Sequence, residues 1–302
     1  MKMHLPAFVL ALIALAVLGS AARPAAGATH AAHSGYAHPD WLVSADWLKQ
    51  HLNNPTVKVV ALTPKAVFAT GHIPGAAQID WPALEITDTS PASVTEWQAA
   101  AERKLTQLGV SPRDTVVIYD GGTLFAARLW WVLDDLGQRD KRILNGGLAA
   151  WTAAGGKIEQ GNSTVKAAAT PYQGTPNPAD LATLDAVKAS LGRANVMLID
   201  ARSKGEYIQG HIPGAINMNY PENALPGPPH FWKSAPVLRQ LYASAGATPG
   251  KEIISYCSTG VRSAVTYFTL RLLGYPDVRL YTGSWAEWTQ HPDLPKTKGN
   301  RP

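Results

Sequence analysis

The sequence predicts an α/β protein made of two duplicated domains, each with a mainly parallel sheet flanked by helices. The first observation is a repeat: Gly-His-Ile-Pro-Gly-Ala occurs at residues 71–76 and again 139 residues later, at 210–215. Solenoid repeats are about 20–50 residues long, so a spacing this large indicates duplicated domains. The second observation is that short β-prone runs alternate with segments of helical apolar spacing in both halves, which is typical of a parallel sheet covered by helices.

The elements follow in order along the chain. In the first half, the β-branched runs Val57–Leu62 and Thr115–Tyr119 predict strands, and the apolar spacing of residues 94–108 and 124–136 predicts helices. The second half repeats this alternation. Its predicted strands are Val196–Asp200, Glu252–Tyr256 and Val278–Tyr281, and its predicted helices are residues 182–191, 235–245 and 261–273.

Composition sets the expected domain boundaries. Residues 155–178 are rich in Gly, Thr, Gln and Pro without apolar periodicity, and we expect them to link a domain at 39–154 to a second domain at 179–292. A loose tail is expected at residues 29–38, and a C-terminal tail at 293–302.

The first 28 residues have the pattern of a secretory signal peptide. Lys2 supplies a positive charge, residues 5–18 are almost purely apolar, and small residues follow through Ala28. The apolar run is shorter than the roughly 20 residues that a membrane span needs, and no stop-transfer charges follow it. We expect cleavage after Ala28, with Ala22 as the other candidate position, and a mature protein that is periplasmic or secreted and no longer bound to a membrane. An uncleaved anchor is the alternative.

Charge and cysteine content exclude two classes of function. The formal charge is +5, and loss of Lys2 and Arg23 with the signal lowers it to +3; the remaining basic residues are scattered, so no nucleic-acid partner is expected. The chain has one cysteine, Cys257, which can form no intramolecular disulfide and has no resolving partner for a dithiol redox cycle. Thioredoxin-like chemistry is therefore excluded.

Cys257 lies at the end of an apolar run and is followed by a short Gly-containing loop and a helical segment. This strand–loop–helix order predicts a sulfur at the carboxyl edge of a parallel sheet, beneath a helix N-terminus, where amides and the helix dipole favour an anion. We expect the thiolate, which is the reactive form, because Arg262 adds a full positive charge. A buried core cysteine is the alternative. The residues expected to surround the sulfur and bind its substrate are Ser258, Thr259, Gly260, Val261 and Arg262.

The duplication supplies an internal comparison. Aligning the halves places Asp120 opposite Cys257, and a carboxylate cannot form a persulfide, so the first half is predicted to be catalytically silent. Both halves keep the histidine of the repeated motif, His72 and His211. Because one copy lies in the half without the cysteine, we expect both histidines to bond the backbone rather than to form a Cys-His catalytic pair.

The chain resembles the tandem-domain rhodaneses, which are thiosulfate and 3-mercaptopyruvate sulfurtransferases. The resemblance extends from Trp41 to Trp288 and implies two rhodanese-like domains. It rests on the repeated Gly-His-Ile-Pro-Gly-Ala, on Leu-Ile-Asp-Ala-Arg-Ser at 198–203, on Tyr-Cys-Ser-Thr-Gly-Val-Arg at 256–262, and on the Gly-x-x-x-x-Trp endings at 146–151 and 283–288.

The resemblance implies the chemistry and its residues. Cys257 would take a sulfane sulfur from a small anionic donor and pass it, as a persulfide, to cyanide, a thiol or a protein acceptor. Arg202 matches the donor-binding arginine of the family, with an ion pair to Glu206 as the structural alternative. No metal or organic cofactor is required. A metal site among the tail histidines is disfavoured because no carboxylate or cysteine accompanies them; they are His30, His33 and His38.

Departures from the family leave alternatives open. Two-domain thiosulfate enzymes commonly place Arg-Lys after the cysteine and mercaptopyruvate enzymes Gly-Ser-Gly-Val-Thr, whereas this chain has Ser-Thr-Gly-Val-Arg at 258–262. The cationic Arg262 favours thiosulfate, with 3-mercaptopyruvate or a non-catalytic sulfur carrier as alternatives. A cysteine phosphatase or arsenate reductase needs five residues between Cys and Arg and here only four intervene, so that reading is disfavoured. Residues 219–232 either wall the pocket or pack as an irregular insertion.

Overall fold

The computed structural model of the protein describes residues 35–302. The predicted signal peptide, with its two candidate cleavage positions, and His30 and His33 lie outside the described residues. Within residues 35–302, no helix combines the length and the apolarity that crossing a membrane requires.

The N-terminal half alternates strands and helices along its length. Short 3-10 helices at Pro39–Trp41 and Trp81–Leu84 accompany the regular elements. These are β1 (Leu42–Val43), α1 (Ala45–His51), β2 (Val57–Leu62), α2 (Lys65–Thr70), β3 (Ala77–Ile79), α3 (Pro91–Gln107), β4 (Thr115–Tyr119), α4 (Ala126–Asp135), β5 (Asp140–Leu144) and α5 (Gly147–Ala153).

The C-terminal half repeats the same sequence of elements, with a 3-10 helix at Tyr220–Asn223. Its regular elements are β6 (Leu181–Ala182), α6 (Leu184–Ser190), β7 (Val196–Asp200), α7 (Lys204–Gln209), β8 (Ile216–Asn217), α8 (Ala235–Ser244), β9 (Glu252–Tyr256), α9 (Val261–Leu272), β10 (Val278–Tyr281) and α10 (Ser284–Gln290).

Each half forms a five-stranded parallel sheet, and the two sheets have the same topology. The strand order is β1-β5-β4-β2-β3 in the first half and β6-β10-β9-β7-β8 in the second. The central strands are buried after their first residues because helices cover both faces of each sheet. The predicted α/β fold of two duplicated domains is confirmed.

The predicted strands match the observed bounds, and the helices differ at their ends. The helix predicted at 94–108 starts three residues earlier, with Pro91 in its first turn, a position that proline favours. The helix predicted at 182–191 starts at Leu184, because Ala182 belongs to β6 and the Thr183 hydroxyl caps the helix by accepting from the Ala186 amide at 3.2 Å.

The described part of the predicted loose tail at 29–38 is held against the C-terminal half. Tyr36 is buried and its hydroxyl donates to the Lys233 carbonyl, while the Ala37 amide donates to the carbonyl of Leu272, at the end of α9, at 3.1 Å. The expectation of a loose segment is wrong for residues 35–38, because an aromatic side chain and backbone hydrogen bonds anchor them.

The segments that follow each domain also return to the body of the protein. In the linker 155–178, Tyr172 is buried and its hydroxyl donates to Gln138 at 2.9 Å. In the tail 293–302, Thr297 forms an antiparallel bridge with His211, just as Glu159 does with His72 in the first half. Each segment thus fastens the turn that carries the repeated motif of its own half.

One hydrophobic cluster contains residues of both halves, and each half also has a separate cluster of its own. Helix α4 packs against α9, and Trp130 of α4 meets Phe268 of α9 edge to face with ring centroids 5.0 Å apart. Beside them the Tyr267 hydroxyl donates to Asp134 at 2.8 Å or to Asp180 at 2.9 Å. This interface brings the loop before α9 against the N-terminal half.

Candidate active site

Cys257 occupies the position that the sequence predicts, directly after β9 and before α9, and the residue is buried. Its peptide N–H donates to Ser284 Oγ at 3.1 Å, and that hydroxyl donates to the Tyr281 carbonyl at 2.8 Å. The Trp285 amide donates in turn to the Cys257 carbonyl at 3.0 Å. The first residues of α10 therefore bond both the N–H and the carbonyl of Cys257 and hold its backbone in place.

Gly260 makes the turn from the cysteine loop into α9. Its φ of +83° lies in the left-handed region, and a Cβ at this position would lie 2.8 Å from the Thr282 carbonyl oxygen. Only glycine fits both constraints without strain. As the N-cap of α9, Gly260 offers no side chain to the first amides of the helix, which leaves that end open to an anion.

Asp120 in the N-terminal half shows what the equivalent loop can bind. Its carboxylate accepts from the amides of Gly122, Thr123 and Ala126 at 2.6, 2.9 and 2.8 Å. Burial raises the pKa of Asp120, and these amide hydrogen bonds oppose that rise. The loop geometry is therefore an anion cradle, which in the N-terminal half is filled by the protein's own side chain.

Arg262 is close to the cysteine, as predicted, and it has a partner that sequence reasoning did not give it. Its guanidinium makes two hydrogen bonds of 2.8 Å to the Glu206 carboxylate and a third, of 2.6 Å, to Ser258 Oγ. The hydrogen bond to Glu206 is the main cause that raises the pKa of Arg262, and the neighbouring Cys257 sulfur adds to it. The same contact lowers the pKa of Glu206 to about 2.

Arg202 has a carboxylate partner, Asp200, that sequence reasoning did not give it. The residue is buried; its guanidinium forms an ion pair with Asp200 at 2.6 Å and donates to the Gly210 carbonyl at 2.7 Å. The expected alternative, an ion pair of Arg202 with Glu206, is wrong because Arg262 occupies that carboxylate. Donor binding by Arg202 stays a prediction, and its contacts describe a side chain that fastens β7 to the repeated motif.

The N-terminal half contributes two further residues, which sequence reasoning missed. The Thr259 hydroxyl donates to Glu85 at 2.6 Å, and Arg128 of α4 donates to the Gly260 carbonyl at 3.5 Å. Arg128 could have been noticed as a lone charge inside the apolar run at 126–133, because a charged side chain there must be buried. Glu85 has no comparable signal in the sequence.

The segment 219–232 packs against α9, which follows the cysteine, and against the Asp120 loop. The Trp232 amide donates to Asn145 at 3.1 Å, and the Phe231 ring lies against Gly146, beside the Asp120 loop. The corresponding segment of the N-terminal half, which contains Glu85, lies against the cysteine loop. Each half therefore covers the loop of the other.

The two histidines of the repeated motif have the structural role that the sequence predicts. His72 Nδ1 lies 3.1 Å from the Phe68 carbonyl, and His211 Nδ1 lies 2.9 Å from the Tyr207 carbonyl. Both rings stack on the aromatic ring four residues earlier. Of the tail histidines, His38 is described and stacks on Trp41, and residues 35–302 contain no group of three or more His, Cys, Asp or Glu side chains placed to hold a metal ion.

Comparison with known proteins agrees with this geometry. The model of the rhodanese-like domain matches residues 44–154 and 183–291. The chain is 34% identical to the sulfur carrier protein TtuD of Thermus thermophilus over 288 residues, covering 88% of this chain and 99% of that protein. It is also 34% identical to a thiosulfate sulfurtransferase of Pseudomonas aeruginosa over 257 residues, covering 82% and 93%.

A solved structure supports the same assignment. The crystal structure of SseA from Escherichia coli, described with the 3-mercaptopyruvate sulfotransferases, aligns with a TM-score of 0.71 and 30% identity, covering 82% of this chain and 99% of that one. The chain is thus a two-domain α/β protein with a cysteine loop of the sulfurtransferase type. It belongs to the rhodanese family, as a tandem-domain sulfurtransferase.

Proposed function

We propose that the protein is a thiosulfate sulfurtransferase that works through a persulfide on Cys257. The observation that carries the proposal is the position of Arg262, in the first turn of α9 at its open N-terminal end, where its positive charge acts on the Cys257 sulfur. Thiosulfate is a dianion, and a cation beside open amides attracts it to the sulfur. The thiosulfate sulfurtransferase of Pseudomonas aeruginosa, at 34% identity, supports this choice of donor.

The reaction is a double displacement. The Cys257 thiolate attacks the outer sulfur of thiosulfate; a new S–S bond forms, the S–S bond of thiosulfate breaks, and sulfite leaves with the bonding electrons. An acceptor such as cyanide then attacks the terminal sulfur of the persulfide, which gives thiocyanate and regenerates the thiolate. Arg262 and the amides of the loop stabilise the anionic persulfide between the two steps.

The acceptor must come from outside the chain. Because Cys257 is the one cysteine of the sequence, no neighbouring thiol of the same chain can take the sulfur. Cyanide, a small thiol and a cysteine of a protein partner are therefore the acceptor classes that the site admits. In each case the nucleophile attacks the same terminal sulfur.

Intact-mass analysis tests the proposal directly. We expect thiosulfate treatment to add the mass of one sulfur atom to the wild type, cyanide to remove it, and Cys257→Ala to gain nothing. Steady-state thiocyanate formation should be faster with thiosulfate than with 3-mercaptopyruvate. A wild type that gains no cyanide-removable sulfur contradicts the proposal. A faster rate with 3-mercaptopyruvate than with thiosulfate would make 3-mercaptopyruvate the preferred donor.

A sulfur carrier is the second candidate, because the Thermus thermophilus relative that bears that name aligns over 99% of its length. The same persulfide loop would serve a carrier. Turnover separates the two functions. An enzyme forms thiocyanate over many cycles, whereas a carrier loads one sulfur per chain and releases it to a protein acceptor without sustained turnover with cyanide.

We further propose that the protein is exported. The proposal rests on the positive charge of Lys2, the apolar residues 5–18 and the small residues up to Ala28. Expression of the full chain in a bacterium with a functional secretion system tests it. We expect N-terminal sequencing of the periplasmic fraction to begin at residue 29, or at residue 23 if cleavage follows Ala22. A full-length protein retained in the membrane or cytoplasm contradicts the proposal.

A further inference from the structure

Arg128 is a fully buried cation in the half that carries no cysteine. Its Nη2 donates to the Leu84 carbonyl and its Nη1 to the Gly260 carbonyl, while its Nε finds no acceptor among the described residues. The guanidinium lies over the Trp131 ring, 4.7 Å from the centroid. Within residues 35–302, no carboxylate oxygen lies within ion-pair distance of it.

A buried charge without a salt bridge needs a counter-charge nearby, because removing an ion from water is costly. Burial lowers the pKa of Arg128 to about 10, and the largest electrostatic effect that opposes this is the negative charge of the Cys257 sulfur, ahead of Glu85 and Asp135. The guanidinium is therefore protonated at neutral pH. The Cys257 sulfur, when ionised, is the first of the negative groups that can balance this charge.

The two cations of the site are not equivalent. Arg262 makes two hydrogen bonds to Glu206, so a carboxylate in direct contact compensates most of its charge. Among residues 35–302 Arg128 has no such partner, and it contacts the cysteine loop through the Gly260 carbonyl. Arg128 therefore adds positive potential at the sulfur from the N-terminal half, beside that of Arg262.

We propose that Arg128 is a positioning residue for Cys257: its buried guanidinium holds the loop at the Gly260 carbonyl and balances the charge of the sulfur anion. The proposal deepens the proposed function, on which its catalytic meaning rests, because the same charge would stabilise the persulfide. It gives the silent half a chemical contribution to the reaction in the other half.

Alkylation of Cys257 tests the charge without any sulfur transfer. The thiolate displaces iodide from iodoacetamide, forming a C–S bond as the C–I bond breaks, so the rate at fixed pH follows the fraction of thiolate. At pH 7 we expect Arg128→Met to react about tenfold more slowly than the wild type and Arg128→Lys to recover most of the rate. Arg142→Met is the matched control, since Arg142 also lies over a tryptophan in the same half but pairs with Asp140.

The outcomes are distinct. A folded Arg128→Met protein that is alkylated as fast as the wild type overturns the proposal, and so does Arg128→Lys behaving like Arg128→Met, since a charge effect must be rescued by another cation. If the wild type transfers no sulfur but Arg128→Met still slows alkylation, the proposed function fails and the role of Arg128 stands.

A double-mutant cycle covers the case in which Arg128→Met folds poorly. If the sulfur is the counter-charge, the loss of thermal stability caused by removing the cation should be smaller in a Cys257→Ala background than in the wild type at pH 8. The cation is removed by Arg128→Met, or by Arg128→Gln where the methionine variant does not fold. Equal losses in both backgrounds would show that Arg128 serves packing alone and overturn the proposal.

Discussion

Replacing Asp135 by asparagine should change how the stability of this protein depends on pH. Asp135 lies at the end of α4 and is fully buried; one carboxylate oxygen accepts from Gln98 at 2.9 Å and the other has no partner among the described residues. Burial raises the pKa of Asp135 to about 7; the Gln98 hydrogen bond and Arg128 oppose that rise, and the charges of Asp180 and Asp134 add to it.

The sign and size follow from proton binding in the two states. The native protein keeps the proton of Asp135 up to about pH 7, while the unfolded chain loses it near the ordinary aspartate pKa of 3.8. The free energy of unfolding therefore decreases as pH rises through this window, by at most about 4 kcal/mol in total. Asp135→Asn removes this dependence, because an amide does not ionise in this range.

Urea denaturation at pH 5, 6, 7 and 8 measures the effect. The stability of Asp135→Asn relative to the wild type should rise with pH and level off above about pH 7. Taking the difference removes the contribution of other titrating groups, such as the buried Asp120. Asp185→Asn, at an exposed carboxylate, is the control and should show no such trend. A relative stability of Asp135→Asn that is constant from pH 5 to pH 8 refutes the reasoning.

Three further substitutions probe the loop. Glu206→Gln leaves the charge of Arg262 uncompensated, so the thiosulfate dianion should be attracted more strongly. The KM for thiosulfate should fall about threefold to tenfold at low salt and less at high salt. An unchanged KM at both salt concentrations would contradict this. Ser284→Ala removes the acceptor of the Cys257 N–H and should cost about 1–3 kcal/mol in urea denaturation; no measurable loss would be inconsistent with that bond. Gly260→Ala should lower the free energy of unfolding by about 1–3 kcal/mol and should lower turnover. The control Gly250→Ala, in open space at an ordinary φ, should do neither. Equal effects of the two substitutions would count against the backbone constraint at Gly260.

The sequence predicts the central strands well because they are continuous β-branched runs buried on both faces. It does not predict β5, whose first three residues are charged, Asp140-Lys-Arg. Lys141 is nevertheless buried: its amine pairs with Asp134 at 2.8 Å and lies 4.8 Å from the centre of the Trp130 ring. Both partners come from α4, so the strand is specified by tertiary contacts that no local pattern contains. The two-residue strands at the sheet edges are too short for any periodicity.

The site divides in the same way. Cys257 and Arg262 lie within one loop and helix turn, so their spacing reveals them. Glu206 forms a capping box with Ser203, and the short spacing of these two residues can be recognised in the sequence. Its hydrogen bond with Arg262 joins residues 56 positions apart, which no local pattern reveals. Glu85 is 174 residues from its hydrogen-bond partner in the loop, and its approach depends on how the two halves dock.

The docking of the two halves places residues of the half without a cysteine against the cysteine loop of the other. The N-terminal half sends Glu85 and Arg128 to the cysteine loop, and Thr89 bonds through its hydroxyl and its amide to the buried carboxylate of Glu287 on α10, the helix that fixes the cysteine backbone. The C-terminal half in turn covers the Asp120 loop with residues 219–232. Because this exchange is reciprocal, Asp120 leaves the N-terminal half without a reactive sulfur, but that half still supplies the residues that contact the cysteine loop. The Cys257 site is therefore complete only while both halves are present.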